Sequence, residues 1–382
     1  MKNKTMLQRR MTGKTGAVLL AGLMAAGMLA GCGKDVIGGD DGPTSVIVAE
    51  NEGETPEKTP EETGEEKGAA NGTVYKVGIV QFVDDASLNQ INSALCAELD
   101  AKGEELGVTF DYADYNLNGQ ADATMLNQIA EQLLSEEVDV IVPIATPAAV
   151  IMQAAAEESE TPVVFSAVSD PVGAGLVASL EKPGSYVTGT SDALNTKAVL
   201  DLMFAANPDI KKVGLLYNKS EDSSRQPILD AKAYCEEKNV EVVEKTGTTN
   251  DEVMLAADAL VAEQVDAVFT PTDNTIMTAE LAIYEKFVEA GIPHYAGADS
   301  FALNGAFCGY GVNYVELGTA TGDMVAELLT QGKEAGDMAV VSLDNGIATV
   351  NTDTAQALGI DYSMFADLCS ELREIRTAEE FE

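Results

Sequence analysis

Lys76-Val77-Gly78-Ile79-Val80 and Lys212-Val213-Gly214-Leu215-Leu216 are one short strand written twice. Each opens on lysine, has glycine third and is otherwise apolar. Two further pairs follow in the same order: Val138-Asp139-Val140 with Val265-Asp266-Ala267, and Thr161-Pro162-Val163 with Ile292-Pro293-His294. The offsets are 136, 127 and 131 residues. A single match of this kind is common among strand–helix units, but three in order at one spacing imply two similar lobes.

Outward from the first copy, helical periodicity runs from about Ser87 to Leu106, a strand is expected at Thr109–Tyr115, and a second helix at about Asp122–Ser135. The apolar run Val138–Val142 suits a strand buried on both faces. Strands alternating with helices give a parallel sheet covered on both sides. The expected fold class is therefore α/β, with two Rossmann-like lobes. Such sheets bind ligands at the carboxyl ends of their strands, and hinge closure over a small ligand follows. The expected division is lobe one at residues 74–191 and 300–337, lobe two at 192–299 and 338–362, and an acidic C-terminal tail at 363–382, either a surface helix or frayed.

The chain begins with basic residues (Lys2, Lys4, Arg9, Arg10, Lys14), an apolar stretch from Ala17 to Ala30, and Leu29-Ala30-Gly31-Cys32. This order resembles the lipobox of a bacterial lipoprotein signal peptide. It implies removal of residues 1–31, lipidation of Cys32, and work on the extracytoplasmic face of the cell membrane. As a membrane anchor the apolar run is short of the roughly 20 residues a bilayer requires. Residues 32–73 are rich in Gly, Glu, Thr and Pro, and are expected to form a disordered, self-repelling tether. The formal net charge of −40 argues against nucleic acid as a partner. Cys96, Cys235, Cys308 and Cys369 are far apart and are expected as buried or partly buried thiols. With His294 the only histidine, zinc is not expected.

Candidate site residues sit at strand ends. Gln81 and Phe82 close the first strand, and Phe82 either stacks on a ligand or packs beneath the loop. Ala145-Thr146-Pro147 reads as a helix start, because proline suits the first turn and threonine caps, and this is a seat for an anion. Ser169 and Asp170 lie in a loop of small residues, where Asp170 offers a charge or caps a turn. Tyr217, Ser220 and Asp222 follow the second copy of the strand. Asp273 and Asn274 end the strand Ala267–Thr270, and Asp273 is expected to pair with an ammonium group. Asp299 lies at an expected crossover, as ligand contact or hinge cap. Carboxylates for an ammonium and helix-end amides for a carboxylate suit a zwitterion. No Ser/His/Asp set, GxGxxG or P-loop is present, so neither catalysis nor a cofactor is expected.

At these residues the chain resembles the substrate-binding lipoproteins of ABC importers, in the branch associated with tryptophan and tyrosine uptake. The resemblance rests on Val77-Gly78-Ile79-Val80-Gln81-Phe82, Ile144-Ala145-Thr146-Pro147-Ala148-Ala149, Ser169-Asp170-Pro171-Val172-Gly173-Ala174, Val187-Thr188-Gly189-Thr190-Ser191-Asp192, Leu216-Tyr217-Asn218-Lys219-Ser220-Glu221-Asp222 and Pro271-Thr272-Asp273-Asn274-Thr275. It implies a type I periplasmic-binding-protein fold with three interlobe crossovers. It also implies an amino acid held in the cleft by Thr146, Ser220, Asp222 and Asp273, and a monomer that delivers it to a permease driven by its ATPase. Lys219 departs from the small polar residue expected there. A lipoprotein that senses a ligand and presents it to a membrane receptor would share this fold and site.

Overall fold

A computed structural model describes residues 72–343, 346–378 and 380–381. The expected signal peptide, Cys32 and all of the acidic tether but Gly72 and Thr73 lie outside the described residues. Those two are already tied to the fold, with Gly72 N–H donating to Gly107 O at 2.7 Å and Thr109 N–H to Thr73 O at 2.9 Å.

Lobe one runs β1 (Val74–Gln81), α1 (Ala86–Leu106), β2 (Thr109–Asp111), β3 (Asn116–Asn118), α2 (Ala123–Ser135), β4 (Val140–Ile144), α3 (Thr146–Ala156), β5 (Val163–Phe165) and β6 (Val187–Ser191). Lobe two continues α4 (Thr196–Ala206), β7 (Lys212–Tyr217), α5 (Asp222–Glu237), β8 (Glu241–Thr246), α6 (Asn250–Ala262), β9 (Ala267–Thr270), α7 (Asn274–Ala290), β10 (His294–Ala296), α8 (Asp299–Leu303) and β11 (Cys308–Gly311). The chain then returns to lobe one as α9 (Tyr314–Gln331) and β12 (Val341–Ser342), and ends in lobe two as β13 (Ile347–Asn351), α10 (Thr352–Leu358) and β14 (Glu371–Ile375).

Sheet one has the order β12-β6-β5-β4-β1-β2, and sheet two β14-β13-β11-β10-β9-β7-β8. The repeat read in the sequence is thus a repeat of sheet order, with β7, β9 and β10 standing where β1, β4 and β5 stand. It extends to packing. A Cβ at Gly78 would lie 2.8 Å from Leu133 Cδ1 of α2, and one at Gly214 would lie 2.9 Å from Leu260 Cδ2 of α6. The shared glycine lets the covering helix settle onto the sheet.

The chain passes between sheets three times: after β6, after β11 and after β12. The second passage falls later than expected. Residues 300–311 belong to lobe two, because β11 pairs parallel with β10 and antiparallel with β13. The third also falls later, since β12 pairs with β6 of sheet one. The expected C-terminal tail is an edge strand: β14 pairs with β13 from Ile347↔Glu371 to Asn351↔Ile375. Its residues Glu371-Leu372-Arg373-Glu374-Ile375 are all exposed or only half-buried, so composition alone reads as tail. Of the strand expected at Thr109–Tyr115 only Thr109–Asp111 forms; a turn in which Tyr115 N–H donates to Tyr112 O at 2.9 Å ends it, and β3 follows beyond the expected range on the same side of β1.

Helix α1 starts where Asp85 accepts the amides of Ser87 and Leu88, and stops at Gly107 with φ 68°. Its stripe Leu88, Ile91, Leu95, Leu99 is buried. One apolar cluster runs from this helix across the seam between lobes to Met277, Ala298 and Phe301. Helix α9 lies close against α1, and glycine makes that approach possible. A Cβ at Gly318 would stand 2.4 Å from Ile91 O and 2.9 Å from Ala94 Cβ. Gly318→Ala should therefore destabilise the protein by about 1–3 kcal/mol through overpacking, although alanine is the better helix former. The denaturant midpoint measures this, and a midpoint at or above wild type would mean that α1 and α9 can part without cost.

Candidate functional site

The carboxyl ends of both sheets meet at a cavity of about 20 Å³, room for about one water molecule. Lobe one lines it with the starts of α1 and α3 and the segments after β5 and β6. Lobe two lines it with Ser223, Thr272, Asn274, Met277 and Ala298, and the start of α9 adds Tyr314. The lobes are drawn together across it, with Ser87 Oγ donating to Asp299 Oδ1 at 2.6 Å and Ser300 N–H donating to Ser87 Oγ at 3.2 Å. A molecule much larger than water does not fit this volume with the lobes in this position.

Strand β4 passes into α3 through a single residue, Ala145, whose side chain makes no capping bond. The next side chain, Thr146, is 3% exposed and lines the cavity. Its Oγ1 is buried and has no hydrogen-bond partner. Pro147 follows in the first turn, where its missing N–H costs nothing. An uncapped helix start with an unsatisfied hydroxyl is equipped to bind a carboxylate.

Asp192 is the one charged residue among those lining the cavity. Ser169 Oγ donates to its Oδ1 at 3.0 Å. Burial pushes its carboxyl up to about 6, against the lowering effect of Ser169. Two more aspartates lie beside the same seam. Burial pushes Asp85 up to about 7, opposed by the amides it caps and reinforced by Asp299. Burial also raises Asp299, opposed by Ser87. The hydroxyl of Tyr314 is held well above its ordinary range by burial and by Asp192, Asp299 and Asp85 together. The arrangement is a negatively charged recess.

Of the expected contacts, Ala145, Thr146, Ser169 and Asn274 line the cavity. Asp299 reaches its edge through Ser87. Asp273 does not face it. It is fully buried, its Oδ1 accepting Ile276 N–H at 3.0 Å and its Oδ2 accepting Asn218 N–H and Ser224 Oγ, each at 2.6 Å. Glu221, which the sequence did not single out, holds the same helix start: Oε1 accepts Thr275 N–H at 2.8 Å and Oε2 accepts Asn274 N–H at 2.9 Å. Asp273 and Glu221 cap α7 and tie it to the loop after β7. Burial and the Glu221 charge raise the Asp273 carboxyl.

The others also turn elsewhere. Gln81 is buried, its amide bonded to Val83 O and Asn89 Oδ1. Phe82 is half-buried and packs against two apolar clusters, one within lobe one and one that crosses the seam. Asp170 accepts Gly173 N–H at 2.8 Å and caps a turn. Tyr217 donates to Glu244 at 2.7 Å. Ser220 is exposed, and Asp222 pairs with Arg225 at 2.7 Å on the outside of α5. His294 stands in line between Thr270 Oγ1 (2.8 Å from Nε2) and Glu280 Oε1 (3.0 Å from Nδ1). That line is sealed in lobe two with all three residues buried, so no substrate reaches its hydroxyl. The four described cysteines are free thiols.

A family model for ABC transporter substrate-binding proteins matches residues 76–365. A tyrosine-binding protein of Clostridioides difficile (strain R20291) is 33% identical over 345 residues, 90% of this chain and 91% of that protein. Among solved structures, an ABC domain from Streptococcus pneumoniae in complex with L-Trp aligns at TM-score 0.72 with 29% identity, over 78% of this chain and all of that one. A ligand-free, open substrate-binding protein with adhesive properties from Clostridium difficile aligns at 0.60 with 32% identity, over 80% of this chain and all of that one.

Asp85, Asp192 and Asp273 hold protons in the fold that they would lose in the unfolded chain. Their contribution to stability is complete below the ordinary aspartate range and is lost as pH rises through the raised values. The lowered carboxylates Glu244 and Glu371 act with the opposite sign, below about pH 4.5. Thermal midpoints should therefore be higher at pH 5 than at pH 8, and a flat or rising profile over that interval would contradict the burial of these groups. Asp273→Ala should cost about 2–4 kcal/mol by stranding three buried donors. Its chemical denaturation curve measures this, and wild-type stability would remove the capping role.

Proposed function

This chain belongs to the ABC transporter substrate-binding proteins, and from that premise we propose that it captures an aromatic amino acid, tyrosine or tryptophan, between its lobes and delivers it to a membrane permease. The observation that carries this reading is the pairing of one carboxylate, Asp192, with one unsatisfied hydroxyl, Thr146, at an uncapped helix start in the same cavity. An α-ammonium goes to Asp192, and an α-carboxylate to Thr146 and the amides of α3. Leu88, Met277 and Tyr314 supply apolar and aromatic surface for the side chain. The tyrosine-binding relative and the tryptophan complex support the ligand class. The higher TM-score against that complex than against the open, ligand-free relative fits lobes already drawn together.

The lipobox-like Leu29-Ala30-Gly31-Cys32 supports a place on the extracytoplasmic face, held by lipid on Cys32. Two acyl chains would anchor it stably where one would not. The body needs no second copy to complete the cavity, so it acts as a monomer. No bond is made or broken in the ligand.

Isothermal titration of the purified protein with L-tyrosine and L-tryptophan should give saturable binding to at least one, and binding of neither would sink the aromatic assignment. Asp192→Asn should weaken that binding by about 10-fold or more, as loss of one partner of a desolvated charge pair does. Unchanged affinity would place the ammonium elsewhere.

A further inference from the structure

Eight non-glycine residues among those described adopt positive φ. Six of them, Gln120, Ala121, Glu137, Glu160, Asn239 and Gln264, are exposed and lie in turns, where such strain is cheap to relieve. The other two are buried, and both line the cavity: Ala145 at φ 80°, ψ 151° and 3% exposure, and Ala167 at φ 55° and 6% exposure. They stand at the ends of neighbouring strands, β4 and just beyond β5. Ala145 N–H donates to Ser166 O at 2.9 Å, so the backbone of the two turns is directly connected.

The conformation of Ala145 lies in a region that essentially only glycine occupies without strain, and left-handed backbone disfavours any side chain at 167. Glycine would hold the same backbone more easily at both places. What glycine lacks is the methyl group, and both methyl-bearing residues border the cavity. We propose that Ala145 and Ala167 are specificity-determining residues, whose methyl groups form the lobe-one floor against which the ligand packs, and that the strain at both is the cost of placing them there. This rests on the reading of the cavity as an amino-acid site.

The signature is a pair of effects with opposite signs. A residue that serves the fold alone loses stability and affinity together, or neither. Here Ala145→Gly and Ala167→Gly should each raise the thermal midpoint of the ligand-free protein by about 2–4 °C, as relief of strain in a chain of this size does. Each should also weaken binding of L-tyrosine or L-tryptophan about 4-fold or more, the value of one buried methyl contact. Calorimetric melting of wild type and both variants, followed by titration with the two amino acids, reads both quantities. Glycine variants that bind as tightly as wild type, or that melt at or below it, overturn the proposal while leaving the amino-acid reading intact. Wild type that binds neither amino acid takes down that reading and this one with it.

Discussion

A helix that begins at the carboxyl end of a strand brings amides without intrahelical partners to the same edge. In this protein those edges meet, so each helix start must be satisfied in a seam from which water is largely excluded. Asp85 serves α1, and Asp273 with Glu221 serves α7. Helix α3 is left without a side chain, and its first hydroxyl has no partner. The starts of α5 and α8 also lack a side-chain cap, so an uncapped start alone does not mark the site. What sets α3 apart is a buried, unsatisfied Thr146 hydroxyl that lines the cavity, where an external anion can take the place of a cap.

That division explains what could be read in advance. The recurrence of Val77-Gly78-Ile79 as Val213-Gly214-Leu215 carries the two-lobed α/β fold, because glycine beneath a covering helix and apolar strands buried on both faces leave a local trace. Thr146 was legible as a helix start but not in its role: the threonine cap expected there does not form, because Ala145 takes the capping position and the Thr146 hydroxyl is left without a partner. Asp273 was legible as a strand-end aspartate but not as a cap. A carboxylate that holds Asn218, Ser224 and Ile276 and one that holds a ligand look alike until the loop after β7 is in place. Asp192 and Tyr314 belong to crossovers, and they join the cavity only because segments over a hundred residues apart are brought together. The second and third crossovers could not be placed from composition, since β11, β12 and β14 are short and gain their identity from their neighbours.

The electrostatics of the seam follow from the same closure. Asp85 enters from lobe one and Asp299 from lobe two, with Ser87 between them, and no lysine lines the cavity to offset them. Asp85 and Asp299 are buried charges of one sign, and their repulsion adds to the burial that raises Asp85. Burial pushes Asp85 up to about 7 and Asp192 up to about 6, and it raises Asp299 as well. Of the three, Asp192 is the one that lines the cavity. Carboxyls raised in this way bind protons at a pH where they would be ionised in water. In a chain whose net charge is already −40, a cation in the seam relieves a repulsion that the fold otherwise meets with protons.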